Sequence, residues 1–203
     1  MVKIEKLNHS SFLIKGEEKN IIIDPYNIES KSKGDIILIT HPHFDHYSPQ
    51  DIKRVKKKNS IIVMPPMINS KKIAGNPIKV RPWSELNIGD IWIRAIPSYN
   101  LEKNYHPKNS GWLGYVIHID NKKIYHAGDT DLIEEMKSLG EINYAMLPVS
   151  GKYTMNAKDA AKAVKMINPE LAIPMHYGEL MGGINNADEF HKICSCKVKI
   201  NSN

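Results

Sequence analysis

Apolar residues in this chain fall in short, β-branched runs broken by turn residues. Ser11-Phe12-Leu13-Ile14 and Asn20-Ile21-Ile22-Ile23 flank a polar turn at 15–19 and predict a hairpin that ends at Asp24-Pro25. Asp35 to Thr40 is almost wholly apolar and predicts a strand buried on both faces of a sheet. Ser48-Pro49-Gln50-Asp51 then supplies an N-cap, a proline at the first helical position and a capping acid, so a helix should follow and carry the basic run Lys53–Lys58. Further strands are predicted over 60–64, 78–80 and 91–96, and a second hairpin over 115–119 and 123–126 turning at Asp120-Asn121. Beyond Asp129 the pattern alternates. A helix is expected over 132–139, a strand over 144–149, a helix capped by Asn156 with Ala160, Ala161, Val164 and Ile167 on its apolar face, and a strand over 171–175. No linker or low-complexity segment divides 1–203, and the reading is one α/β domain with mixed sheets covered by helices.

Composition narrows the picture little. At 203 residues and 41% hydrophobic the chain can bury a core of its own. The net charge of +6 would suit a polyanion, but the cations are nearly all lysine, with arginine only at Arg54, Arg81 and Arg94. Bidentate phosphate recognition favours arginine, so nucleic acid is the disfavoured partner and a small molecule the favoured one. The opening residues lack an apolar leader and no run reaches membrane-spanning length, which points to the cytoplasm. Cys194 and Cys196, placed on a strand, read as free thiols. Oligomeric state is not legible.

The chemistry is concentrated at 40–49, Thr-His-Pro-His-Phe-Asp-His-Tyr-Ser-Pro, an H-x-H-x-D-H pattern at the exit of a predicted buried strand. Imidazoles clustered this densely are explained by metal coordination, since a packed core would need a hydrogen-bond partner for every ring. Ligand sites in open α/β sheets lie beyond the carboxyl ends of strands. Pro42 favours extended geometry at His41, so His41 and His43 can project to one side, while Asp45 and His46 fall where the chain turns. Asp129, in Gly128-Asp129-Thr130, and His176, in Pro174-Met175-His176, also leave predicted strands at their ends.

Together these residues resemble the metallo-β-lactamase superfamily. Within it the chain is similar to compact metal-dependent hydrolases grouped with L-ascorbate-6-phosphate lactonase and, more distantly, with N-acylphosphatidylethanolamine phospholipase D. The resemblance runs nearly end to end and includes Asn8-His9-Ser10, Asp24-Pro25 and the stretch His126 to Thr130. It implies an αβ/βα four-layer sandwich of two similar halves, two mixed β-sheets flanked by helices, with a two-metal site. His41 and His43 would hold the first ion, Asp45, His46 and His176 the second, and Asp129 would bridge them. Asp24 would orient the histidine motif, and His9 would lie at the site edge. The superfamily usually supplies a third histidine to the first ion from a strand end; here that stretch reads Ala95-Ile96-Pro97-Ser98-Tyr99-Asn100. His106 is the candidate replacement, the other reading being a loop histidine that meets substrate. Pocket walls are expected at Tyr99, Asn100, Lys152 and Tyr153.

The expected function is a binuclear metal-dependent hydrolase that directs a hydroxide shared by two divalent ions, zinc first and manganese second, at an ester, lactone or phosphodiester. Asp45 would orient the attacking water and shuttle its proton. The rivals are an RNA- or DNA-processing nuclease of the same fold, which usually carries an extra substrate-gripping arm, and a metal-binding module without turnover. A di-iron oxidoreductase is a further rival, although iron-binding relatives resemble H-x-E-x-D, with glutamate where this chain has His43.

Overall fold

The computed structural model describes residues 2–73, 75–178 and 185–200, which divide into two compact units between Arg81 and Pro82. The first is built on a six-stranded sheet: β1 (Lys3–Asn8), β2 (Ser11–Lys15), β3 (Asn20–Ile23), β4 (Gly34–Leu38), β5 (Lys56–Met64) and β6 (Ile78–Lys79), adjacent in that order. The β1–β2 and β2–β3 pairs are antiparallel, whereas β3, β4, β5 and β6 run parallel. Helix α1 (Pro49–Val55) is the crossover from β4 to β5, and Ser48 caps it as expected, accepting from the Asp51 N–H at 3.2 Å. Ile52 and Val55 of α1 pack with Leu13, Ile22, Ile37, Ile39 and Met64 in the core of this unit.

Two expectations need correction here. The lysine run is not all helical: α1 ends at Val55, and Lys56 to Lys58 open β5 four residues earlier than the apolar pattern predicts. Its half-exposed start carries lysines, as sheet positions near solvent often do. Strand β1, at the sheet edge, holds only two apolar residues, Ile4 and Leu7, so no apolar run predicts it.

The second unit carries a seven-stranded sheet in the order β13-β12-β11-β10-β9-β8-β7. Strands β7 (Glu85–Ile88), β8 (Ile91–Pro97), β9 (Leu113–Ile119) and β10 (Lys122–His126) form an antiparallel meander; β10, β11 (Tyr144–Pro148), β12 (Leu171–Met175) and β13 (Lys197–Val198) are parallel. Helix α2 (Ala157–Ile167) links β11 to β12, and α3 (Asn185–Ile193) lies between β12 and β13. The Asn156 side chain caps α2, accepting from the Asp159 N–H at 2.9 Å, and the predicted apolar face of Ala160, Ala161, Val164 and Ile167 is buried. The helix expected over 132–139 is instead a 3₁₀ turn at Glu134–Ser138: Ile133 offers no capping oxygen, and too few residues precede Gly140 to nucleate an α-helix. Cys194 and Cys196 lie in the turn before β13 rather than on a strand, with their sulfurs 3.7 Å apart.

Each unit thus passes from antiparallel to parallel pairing, and this places chemistry at strand exits. In the first, β3 and β4 run the same way, so Asp24 and His41 leave the sheet at one end. In the second, β8, β10, β11 and β12 share a direction, and their exits lead to Asn100, Asp129, Lys152 and His176. Two glycines make the β10 exit possible. A Cβ on Gly114 would stand 2.7 Å from the His126 carbonyl and 2.8 Å from that of Ala127, and Gly128, at φ +65°, would place one 2.5 Å from the Leu113 carbonyl.

Candidate metal centre

In the first unit the H-x-H-x-D-H loop is organised by one carboxylate. Asp24 is fully buried and accepts three hydrogen bonds, from the Thr40 N–H at 2.8 Å, the Thr40 hydroxyl at 2.6 Å and His46 Nδ1 at 2.7 Å. The Thr40 hydroxyl has one proton. Because that proton goes to Asp24, its oxygen must accept from His41 Nδ1, which lies 2.9 Å away. A single buried acid therefore sets two tautomers, His46 directly and His41 through Thr40. Both rings carry a proton on Nδ1, so in the neutral form each turns Nε2 outward as a lone pair, the state in which imidazole binds a metal. Ligand atoms of Asp24, His41 and His46 all fall within 4.8 Å of one another.

His41 Nε2 and His43 Nδ1 are 3.1 Å apart. Two nitrogens bound at ~2.0–2.1 Å to one tetrahedral ion stand about 3.3 Å apart, so this spacing suits a shared cation. The Asp45 carboxylate lies 3.3 Å from His9 Nε2 and 3.9 Å from His46 Nε2. His9, at the β1–β2 turn, is buried and edge-on to the His46 ring. The donor set, neutral imidazoles plus a carboxylate, fits zinc or manganese chemistry. His9 and Asp24 both adopt left-handed backbone conformations, at φ 33° and 45°.

The second unit brings together Asp129, His106 and His176. One Asp129 oxygen lies 2.9 Å from His176 Nε2 and 3.4 Å from His106 Nε2, and all three residues are buried. His176, one residue past β12, is left-handed at φ 57°. The Asp129 turn is laced to the β8 exit: the Ser98 hydroxyl donates to the Asp129 carbonyl at 2.9 Å, and the Tyr99 and Asp131 N–H groups donate to Thr130 Oγ1 and the Tyr99 carbonyl at 3.2 and 2.9 Å. His126 accepts from the Gly128 N–H at 3.2 Å and so helps shape the same turn.

The expected pocket walls fare differently. Asn100 is buried and bonded to His106. Tyr99 is buried too, and its hydroxyl donates to Glu135 and accepts from Lys108 Nζ at 3.0 Å. Burial pushes the Tyr99 hydroxyl above its usual pKa. Lys108, itself 3.1 Å from Glu135, is therefore engaged in this triad. The Lys152 ammonium lies 5.0 Å from the Tyr153 ring centroid, and the Tyr153 ring meets Tyr105 at 4.6 Å. Nearby, a cavity of about 370 Å³ is lined by residues including Leu101, Lys103, Asp131 and Gly151. Sequence patterns gave no signal for Thr40 as a relay or for the Lys103–Asp131 ion pair, because each depends on contacts between separate strand exits.

Residues 3–176 match the family described as the beta-lactamase superfamily domain. A UPF0173 metal-dependent hydrolase of Pyrococcus abyssi is 31% identical over 98% of this chain and 95% of its own length. The chain belongs to the metallo-β-lactamase superfamily and its UPF0173 metal-dependent hydrolases. A UPF0173 metal-dependent hydrolase from Nanoarchaeum equitans is 37% identical over 87% of this chain and 84% of that one. Igni18, a novel metallo hydrolase from the hyperthermophilic archaeon Ignicoccus hospitalis, superposes with a TM-score of 0.81 at 25% identity, covering 99% of this chain and 95% of Igni18. The chain is accordingly a metal-dependent hydrolase of the metallo-β-lactamase fold, with two mixed sheets and three α-helices among the described residues. No helix among the described residues is long and apolar enough to cross a membrane.

Proposed function

We propose that this UPF0173 member is a binuclear hydrolase of a small-molecule ester, lactone or phosphodiester, working with zinc or manganese. Phosphorylated lactones of the L-ascorbate-6-phosphate kind belong to this substrate class. The chain acts as one domain of two similar halves. His41, His43, Asp45 and His46 would hold metal in the first unit, and His106, Asp129 and His176 in the second. When bound, the divalent ions supply Lewis acidity and lower the pKa of a coordinated water to ~7.

The observation that carries this reading is the Asp24–Thr40 network. It spends a fully buried carboxylate on holding two histidines in the metal-accepting tautomer, a device with no purpose in a merely structural histidine cluster. Asp45 then orients the attacking water and takes up its proton, while His9, 3.3 Å from its carboxylate, keeps that side chain in place.

The test is metal analysis of the purified protein followed by a screen of ester, lactone and phosphodiester substrates with added Zn²⁺ or Mn²⁺. Two ions per chain and turnover on one substrate class are expected, with Asp45→Asn lowering the rate about 10²–10⁴-fold. Full metal occupancy with uniform inactivity, or unchanged turnover in Asp45→Asn, would overturn the assignment.

A further inference from the structure

The loop that carries His106 leaves β8 with no histidine at the strand end and returns to the site only six residues after Asn100. We propose that Asn100 is the positioning residue that makes a metal ligand of His106, by fixing its ring tautomer and its place in the loop. The inference rests on the reading of a metal centre above and adds the device by which this chain replaces the missing strand-end histidine.

The hydrogen bonds define the Asn100 amide without ambiguity. Its nitrogen donates to the Tyr153 carbonyl at 2.9 Å, so its oxygen must be the atom turned to His106. That oxygen accepts from the His106 backbone N–H at 3.1 Å, a donor that cannot be anything else. The same oxygen lies 2.9 Å from His106 Nδ1, which must therefore carry a proton to bond it. A neutral ring so bonded keeps its lone pair on Nε2, and Nε2 faces the Asp129 carboxylate at 3.4 Å. With the ring neutral these are two acceptors face to face, and a cation, either a proton on Nε2 or a metal ion, reconciles them.

The rest of the loop holds the ring in that orientation. The Asn100 N–H donates to the His106 carbonyl at 2.7 Å, which closes the segment on itself. The Trp112 ring meets the imidazole edge-on, with centroids 5.3 Å apart. Lys103 pairs with Asp131 and donates to the Thr154 carbonyl at 2.8 Å. Asn100 and Lys103 thereby staple the loop to consecutive carbonyls of residues 153 and 154, and Asp131 also accepts from the Leu101 N–H at 3.0 Å. Lys103 and Asp131 fix the backbone, and of these three residues Asn100 is the one that bonds the ring.

The experiment compares wild type, Asn100→Asp and Asn100→Ala in two measurements. One is zinc affinity by competition with a chromophoric chelator. The other is the ¹⁵N spectrum of His106 in metal-free protein, assigned with a His106→Gln variant. Aspartate keeps an acceptor at both His106 N–H groups, so it should retain the Nδ1–H tautomer and affinity close to wild type. Alanine should shift the ring towards the Nε2–H form and weaken zinc binding about 10–100-fold. Wild-type affinity and an unchanged His106 spectrum in Asn100→Ala, with only a lower melting temperature, would reduce Asn100 to a loop brace and overturn the proposal. Should the alanine variant not fold, the wild-type spectrum decides alone, because an Nε2–H ring there is incompatible with it. If wild type takes up no zinc, the metal reading fails, while the metal-free spectrum still tests Asn100.

Discussion

Replacing Asp24 with asparagine should abolish tight metal binding while leaving the fold nearly intact. The backbone there sits at φ 45°, a conformation asparagine tolerates, so the substitution adds no backbone strain. The Thr40 N–H is a fixed donor 2.8 Å from one carboxylate oxygen, and it forces the new amide oxygen to that side. The amide nitrogen then occupies the position where the other oxygen accepts from the Thr40 hydroxyl at 2.6 Å and His46 Nδ1 at 2.7 Å. It can bond these groups only if both reverse their roles. His46 must move its proton to Nε2, and the Thr40 hydroxyl must turn its proton onto His41 Nδ1, which moves the His41 proton to Nε2 as well. Two ligand rings would then present an N–H where a lone pair is needed. Loss of one such supporting partner costs about 10–100-fold in affinity. Two rings set by one residue give about 10²–10⁴-fold, or about 3–5 kcal/mol. Metal-free stability should fall by only about 1 kcal/mol, because charge-assisted bonds give way to neutral ones without orphaning a donor. Chelator competition, calorimetry and histidine ¹⁵N spectra measure the three effects separately. Wild-type zinc affinity in Asp24→Asn, with both rings still Nδ1–H, would refute the reasoning.

Two further predictions concern stability. Gly114→Ala should cost about 1–3 kcal/mol by pushing a methyl into the carbonyls at the β10 exit, lowering the melting temperature by about 2–12 °C in calorimetry; an unchanged melting temperature would count against the close approach of 2.7 Å. Burial lowers the Lys6 ammonium from 10.5 to about 8. The unfolded chain binds more protons in that interval, so stability should rise between about pH 8 and 10.5. Lys6→Met should raise stability below pH 8, by at most about 3 kcal/mol, and flatten that rise in denaturant titrations; a variant no more stable at pH 7 would show that the burial carries no cost.

The parts of the molecule legible in the sequence are those decided by local pattern. The run Asp35–Thr40 announces a central strand, and H-x-H-x-D-H at its exit announces a metal, because both signals need only neighbouring residues. Asn156 and Ser48 are equally local, and both cap the helices they begin. What pattern could not supply depends on pairing across the chain. Strand β1 survives as an edge strand through its register with β2, although four of its six residues are charged or polar. The 3₁₀ turn at Glu134–Ser138 reads as helix by composition, yet it lacks a cap and length. His106 could be named as a candidate but not placed, since its orientation is set by Asn100, Trp112 and Asp129 from three separate segments.

The left-handed backbone at His9, Asp24 and His176 has a consequence for engineering. Each non-glycine residue held there costs about 1–2 kcal/mol relative to glycine. Glycine would remove that strain only by emptying a buried site, and at Asp24 by orphaning the Thr40 N–H, the Thr40 hydroxyl and His46 Nδ1. A screen that rewards heat resistance alone therefore weighs these positions by strain and packing and is blind to the chemistry they hold. Laboratory evolution of this scaffold needs a selection that sees chemistry at every round.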